Sequence, residues 1–498
     1  MPGSDTRLDL TRSQIMAFRR RVGALDERLP PGPASLQRAA WAGLQDSMPR
    51  AALLSIHARV EGTGPSAWED PSLVHRPGSL SAGTKRRGGE FARRIDVETD
   101  IAVIGAGALG LSTALHCALR GRSVVVVDRT AAGSQASGRA AGLFKSVQAD
   151  QARTLLARRS IERAARFEEW AGVPLAVKQT GSFLVARTAK HQAFLRAELA
   201  QSRQWGVDVR EADIAELAER TAYYRPSGSE LAVWCPEDMY IEEPGGLIQA
   251  YLSACRLHGV EILESEPATA VLTSRRRVTG LETASRRITA GIVVDAAGAW
   301  ARQVGELADA RIAVAPVRHQ LFITEPSDSI RAAGPIIRVI DAATYLRPAR
   351  GGLMFGVFEA DPMALDPRRQ PASFTTDDVP LDLGQLQKLA GQVTAEVPVV
   401  DGAQVTEHRG GLFTMSPDGR FLAGPVSDVP GLWVASGCNG SGFSSSAAIG
   451  ELLAAGITGV AAPPSLVGFS PDRFGPLTDE ALVEKGTWQY AHYYDPAD

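Results

Sequence analysis

The chain is 498 residues long and holds only four cysteines: Cys117, Cys235, Cys255 and Cys438. No two have C-x-x-C spacing, so neither a disulfide framework nor a thiol redox pair is expected. A reduced, cytoplasmic setting is the simplest reading. Lysine is scarcer still for a chain this size, with Lys85, Lys145, Lys178, Lys190, Lys388 and Lys485 against a large arginine complement. No basic–apolar–small pattern of a signal peptide opens the chain. The longest apolar stretch, Ile101 to Leu119, is interrupted by glycines and His116, which argues against a membrane span. No two histidines stand at i, i+4 and no Cys/His cluster has ligand spacing, so no metal site is expected. Net charge is −3, which excludes a chain that is basic throughout. That figure hides an uneven split. Residues 1–95 carry 15 basic and 9 acidic side chains, and the remaining chain is acidic.

What is present is 44% hydrophobic and 22% charged, the composition of a globular protein with ample core. Three short helices are predicted before residue 62, one opening at Thr11 with Gln14 as a capping box. Residues 74–95 are rich in Gly, Ser and Arg and read as a flexible linker. At Asp96 the text changes. A β-run, Ile101–Gly105, leads into glycines, a helix to about Leu119, and a second β-run ending at Asp128. That is a β-α-β unit. Downstream, short β-runs alternate with helices near 153–172, 188–206, 245–257, 385–396 and 446–457, which predicts an α/β fold with a mixed-sheet second domain.

The strongest motif is Gly105-Ala106-Gly107-Ala108-Leu109-Gly110. Gly105 permits the tight turn, Gly107 lets backbone approach a pyrophosphate, and Gly110 with Ala114 lets helix and sheet pack closely. The helix N-terminus, Ala108 included, points amides at the phosphates. Asp128 stands where a carboxylate accepts from a ribose hydroxyl. Three later segments favour FAD over NAD. Gly133–Gly142, with Ser137, Arg139, Ala140, Ala141 and Gly142, can thread from the pyrophosphate toward a flavin ring; Arg129 precedes it. Val293–Trp300 ends a strand in a small-residue turn that includes Ala297, Gly298 and Trp300. Leu432–Ser436 feeds a second glycine turn, Gly437, Asn439, Gly440, Ser441, Gly442 and Phe443, and then a helix. Such a second helix N-terminus suits a ligand longer than the adenylate half of a dinucleotide.

The set GAGALG, SQASGRAAG, VVDAAGAW, SPDGRFLAGP and GLWVASGCNGSGF resembles the D-amino acid oxidase superfamily of FAD enzymes. Within it, Tyr345–Pro348 followed by Gly351–Gly356 is most similar to the flavin half of the dimethylglycine and sarcosine dehydrogenases. The resemblance covers about 97–462. It implies a discontinuous Rossmann-like FAD-binding domain (97–150, 240–315 and 405–462) interleaved with an antiparallel-sheet α+β substrate domain (151–239 and 316–404), then a tail, 463–498. It also implies oxidation of a C–N bond in an amine or N-substituted amino acid, with a hydride equivalent passing to flavin N5 and hydrolysis of the imine. The partners it implies are a small amine or amino acid and either oxygen or an electron-transfer acceptor; from charge and the apolar runs, no membrane is expected and nucleic acid is the less favoured partner.

Five departures bear on chemistry. Arg139 stands where the dehydrogenases attach flavin through histidine, and Gly411 where monomeric sarcosine oxidase uses cysteine, so non-covalent FAD is expected. Met354 replaces the lysine that assists oxygen in the sarcosine oxidases. Ser444 and Phe413 replace carboxylate-binding residues of relatives.

The catalytic candidates are Tyr345, Arg347, His319 and Lys145. Tyr345 and Arg347 lie two apart on a predicted strand and share a face, either toward substrate or outward. His319 is either near the flavin or a hydrogen-bonded structural residue. Lys145 is an anion-binding point charge or a solvated lysine. Met354 and Phe358 make an apolar wall or core. His408, Arg409 and His116 read as structural. A hydroxy-acid oxidoreductase on the same fold is the rival reading. Residues 10–73 resemble the start of AlkZ-like winged-helix DNA glycosylases, which would make 1–73 a helical fragment and 74–96 a linker. A flavoprotein tethered to nucleic acid through this basic arm is the reading from a different class.

Overall fold

The computed structural model describes residues 94–460 and 468–495. The helices expected before residue 62, the body of the linker and the opening of the tail lie outside the described residues.

Ile101–Ile104 and Val124–Val127 are apolar at every position rather than alternating. Strands of that kind belong in a parallel sheet covered on both faces. They sit side by side in a six-stranded sheet ordered 422–425, 432–436, 292–295, 101–104, 124–127, 261–263. Every pairing is parallel except that of the edge strand Leu422–Pro425. Two helices, Ala108–Ala118 and Ser446–Ile457, pack on one another at this sheet. Their contact is close because Gly450 has no side chain: a Cβ there would lie 2.3 Å from Ser112 Oγ.

The second large sheet has eight strands, ordered 405–415, 315–324, 352–357, 344–349, 336–339, 182–186, 231–235, 210–212. Its pairings are antiparallel except that of Ile336–Val339 with Ser182–Ala186. The chain therefore passes back and forth between the two sheets. Val405–Met415 differs from the sequence reading, which gave it to the dinucleotide part. It pairs along nearly its whole length with Ala315–Thr324 and belongs to the larger sheet. The linker also ends earlier than 96. Ile95–Glu98 pairs in parallel with Arg286–Thr289 at the edge of a four-stranded sheet.

The helix Asp479–Ala491 starts at Thr478, whose side chain accepts from the Ala481 N–H. It lies flat on the larger sheet because Gly486 carries no Cβ, which would stand 2.6 Å from Ala315 Cβ. Among the described residues no helix is long and apolar enough to cross a membrane.

Candidate active site

Both sheets contribute to a single elongated cavity of about 830 Å3. One end is made of backbone and small residues. Gly105 has φ +111°, and a Cβ on it would lie 2.4 Å from the carbonyl oxygen of Ala296. Gly107 caps the helix Ala108–Ala118 with backbone alone and is extended. Its absent Cβ would meet only Ser137 Oγ, at 3.1 Å, so the space over it is open to a close-approaching group. Ser137 Oγ also accepts from the Ala108 N–H, at 3.1 Å. Asp128 Oδ2 accepts from the Ala106 N–H at 2.7 Å and Oδ1 from the Thr130 N–H at 2.8 Å. Burial raises the Asp128 pKa, and these amides oppose that rise. A carboxylate has about four lone-pair positions, so Asp128 keeps capacity for a ribose hydroxyl.

Arg129 stacks over Trp300 at 5.0 Å and donates to the Ala372 carbonyl. Arg139 is engaged by Asp377 and by the Ser134 carbonyl. Ala140, Ala141, Gly142, Ala297 and Gly298 also line the cavity. Gly440, Ser441, Gly442 and Phe443 line it where the second helix begins, and that helix too starts without a side-chain cap.

Three of the glycine-turn residues do not reach the cavity. A Cβ on Gly110 would lie 1.9 Å from the Gly105 carbonyl, so this glycine serves helix–strand packing. Gly437 packs on Leu422 with φ +57°. Asn439 turns its amide inward, donating to the Gly437 carbonyl at 2.6 Å and accepting from the Ser416 N–H at 2.9 Å. It builds the turn and is not a ligand-facing side chain. Two helix N-termini whose N-cap residues make no side-chain cap bond, a bare glycine approach and a carboxylate at a strand end fit the pyrophosphate and ribose of FAD.

The other end is made of side chains. His319, Tyr345, Phe358 and Phe413 line it from the larger sheet, and Tyr493 and Tyr494 from the end of the chain. The His319 ring stacks on Phe413 at 4.3 Å and lies 5.0 Å from Phe358. Burial pushes its pKa down to about 3, so the ring is neutral. Lys145 Nζ stands 5.5 Å over the Tyr494 ring and, among the described residues, is in no ion pair. Arg338 reaches the same region while paired to the buried Asp238 at 2.9 Å. Arg409 also lines the cavity. Its Nε is 3.1 Å from Glu407 without hydrogen-bond geometry, and its Nη2 has no hydrogen-bond partner among the described residues.

Arg347 corrects the sequence reading. It is fully buried and absent from the cavity lining. Its donors go to the carbonyls of Ala141, Pro348 and Glu242, at 2.8–2.9 Å, and its guanidinium stacks on Tyr240. It braces the small-residue segment from behind. Met354 likewise faces Leu321, Ile323 and Ala349 in the core, while Phe358 faces the cavity. His408 bonds Gln320 at 3.1 Å, and His116 stacks on Trp170 at 4.7 Å. Reading residue by residue takes Arg409, like His408, as structural, and leaves Arg338, Tyr493 and Tyr494 outside the candidate site. The aromatic run at the chain end was the available signal for the last two.

A family model described as DAO, FAD dependent oxidoreductase, matches residues 100–456. Mitochondrial dimethylglycine dehydrogenase of Mus musculus is 26% identical over 395 residues, covering 77% of this chain and 45% of that protein. Human mitochondrial sarcosine dehydrogenase is 26% identical over 417 residues, covering 81% and 45%. The matches thus span a little under half the length of these curated relatives. Among solved structures, L-proline dehydrogenase from P. horikoshii aligns with TM-score 0.69 and 24% identity over 76% of this chain and 98% of that one. Glycine oxidase from Geobacillus kaustophilus aligns with TM-score 0.66 and 21% identity, over 76% and 100%. The glycosylase resemblance of residues 10–73 is not borne out, and that segment lies outside the described residues. With the cradle and the family match in agreement, the chain belongs to the DAO family of FAD-dependent oxidoreductases.

Proposed function

We propose that this protein oxidises the C–N bond of an amine that carries a carboxylate, an N-substituted amino acid being the simplest case, and that it holds FAD non-covalently. The observation that carries the substrate reading is the second end of the cavity. A phenol side chain, Tyr345, and a lysine with no acidic partner among the described residues, Lys145, stand there with Phe358, Phe413 and Tyr494. That combination suits an anion held beside an apolar wall. Names of relatives support the amine class: dimethylglycine and sarcosine dehydrogenases, and a 4-methylaminobutanoate oxidase of Paenarthrobacter nicotinovorans.

FAD, when bound, supplies a two-electron acceptor for a hydride equivalent from the substrate carbon. The amine nitrogen loses a proton, and water added to the imine releases the smaller amine and an aldehyde or oxo acid. The protein's part is to place the carboxylate, desolvate the amine and present the C–H bond. Electrons then pass to oxygen or to a carrier. A hydroxy acid would need a base for its hydroxyl proton. The cavity histidine has both ring nitrogens engaged and a pKa near 3, too weak for that work. The non-covalent reading draws support from Arg139 and Gly411, and from Gly411 standing against Ala136 of the small-residue segment. We assign 97–150, 240–315 and 416–462 to the FAD-binding part, the eight-stranded sheet to the substrate part, and 463–498 to a tail whose helix packs on that sheet. The four free thiols suit a reducing, cytoplasmic setting.

The test is anaerobic mixing of the holoenzyme with N-methyl amino acids, N-methyl amines lacking a carboxylate, D- and L-amino acids, and hydroxy acids, followed by air. Bleaching of the flavin by the first group is expected, and bleaching only by hydroxy acids would overturn the reading. The rate of recolouring in air separates oxygen from another acceptor. Acid precipitation is expected to leave colourless protein; yellow protein would overturn non-covalent attachment.

A further inference from the structure

We propose that Tyr490, on the helix beyond the matched family segment, is a positioning residue: it fixes the tautomer of His319 so that Tyr345 points its hydroxyl hydrogen into the cavity. The proposal rests on the reading above in taking Tyr345 as a substrate contact. It adds a part of the chain, Asp479–Ala491, that the family match at 100–456 does not include.

His319 bridges two phenols. Its Nδ1 lies 2.8 Å from the Tyr490 hydroxyl and its Nε2 lies 2.8 Å from the Tyr345 hydroxyl. Stacking on Phe413 leaves the ring no room to turn out of this plane. A neutral imidazole donates from one nitrogen and accepts at the other, so the two bonds run in the same direction round the ring. That direction is decided at Tyr490. Its ring is fully buried and stands outside the cavity lining, and among the described residues its hydroxyl has no hydrogen-bond partner but His319, whereas Tyr345 lines the cavity. The phenol hydrogen needs an acceptor, and Nδ1 is the one within reach. Tyr490 therefore donates to Nδ1, Nε2–H donates to the Tyr345 oxygen, and the Tyr345 hydrogen is left for the cavity. The opposite tautomer would strand a buried phenol hydrogen.

The consequence is chemical selectivity. A hydroxyl alone accepts or donates as needed, but this one arrives with its oxygen already occupied. It selects an acceptor such as a carboxylate and disfavours an ammonium or alcohol at that point. The substrate amine must then lie away from Tyr345.

Histidine-labelled (15N) holoenzyme tests the relay directly through long-range correlations of the ring nitrogens, with His319→Gln identifying the resonance. The expected wild-type ring is neutral and protonated on Nε2. A ring protonated on Nδ1, or charged, would overturn the proposal, and this reading requires no variant of Tyr490 to fold. In Tyr490→Phe the two tautomers are expected to mix. Propionate titrated against the visible absorption of the bound flavin gives the second arm. Tyr490→Phe should weaken its binding about tenfold, Tyr345→Phe by at least as much, and the double variant no further than Tyr345→Phe. Additive losses would overturn the relay. Absence of any propionate effect on the wild type would count against the carboxylate reading alone, leaving the ring-nitrogen spectrum to decide the relay.

Discussion

The two ends of the cavity are built by opposite means. At the nucleotide end the contacts are backbone amides and missing side chains, supplied by short contiguous segments around Gly105, Ser137 and Gly442. At the substrate end they are side chains drawn one or two at a time from Lys145, His319, Tyr345, Arg409, Phe413 and the stretch 490–494. A cradle of absences tolerates no addition, whereas a wall of side chains tolerates exchange at the cost of selectivity.

Adding a single methyl group to the cradle is the most severe way to break this contrast. Gly105→Ala places Cβ against the Ala296 carbonyl at a φ that L-residues avoid. More than about 3 kcal/mol of stability should be lost. Little holoenzyme should be recovered, as read by the flavin-to-protein absorbance ratio. Next is Arg347→Met, which separates bracing from catalysis. It strands the carbonyls of Ala141 and Glu242, each about 1–3 kcal/mol when buried and unpaired. The melting temperature should fall by several degrees, while the holoenzyme that remains should keep its KM within about twofold.

Glu451→Gln probes the nucleotide half through pH. Arg159 and Arg163 hold the Glu451 carboxyl down to about 2 against its burial. A depressed carboxylate stabilises the fold above its unfolded pKa, and that stabilisation is lost as pH falls from about 4.5 toward 2. The variant should lose about 1–2 kcal/mol at neutral pH and converge on the wild type at the acid end. Denaturant titrations at two pH values check this. The gentlest change is at the side-chain end. Lys145→Met should raise KM about tenfold, near 1.4 kcal/mol, for substrates with a carboxylate and leave those without one unchanged.

The nucleotide end was legible because its signal is local: strand, glycine turn, helix and acid fall within residues 101–128. Even there, Asn439 was misread as facing ligand, since nothing in a single sequence says which way a turn residue folds its amide. The substrate end was legible only residue by residue. Tyr345 and Arg347 were expected to work together because alternation puts them on one face. Two residues advance a strand by about 7 Å, however, and over that distance the face passes from the cavity to the back of Ala141. Val405–Met415 was misassigned for a related reason: strand partners are tertiary, and His408 or Gly411 carries no mark of which sheet it joins. The aromatic residues at 490–494 were visible, but only folding brings them to His319.

The Gly486 contact has a practical reach. Because that glycine lets the helix Asp479–Ala491 lie flat on the large sheet, trimming the chain to the recognisable family boundary would uncover Ala315 and Met415 and remove the buried Phe469 and Tyr490. The trimmed protein would lack the hydroxyl that contacts His319 Nδ1, and two tyrosines of the cavity wall. Substrate screens on such a trimmed protein would report a broader and weaker preference than the full chain has. In this molecule the unit that is inherited and the unit that discriminates do not share a border.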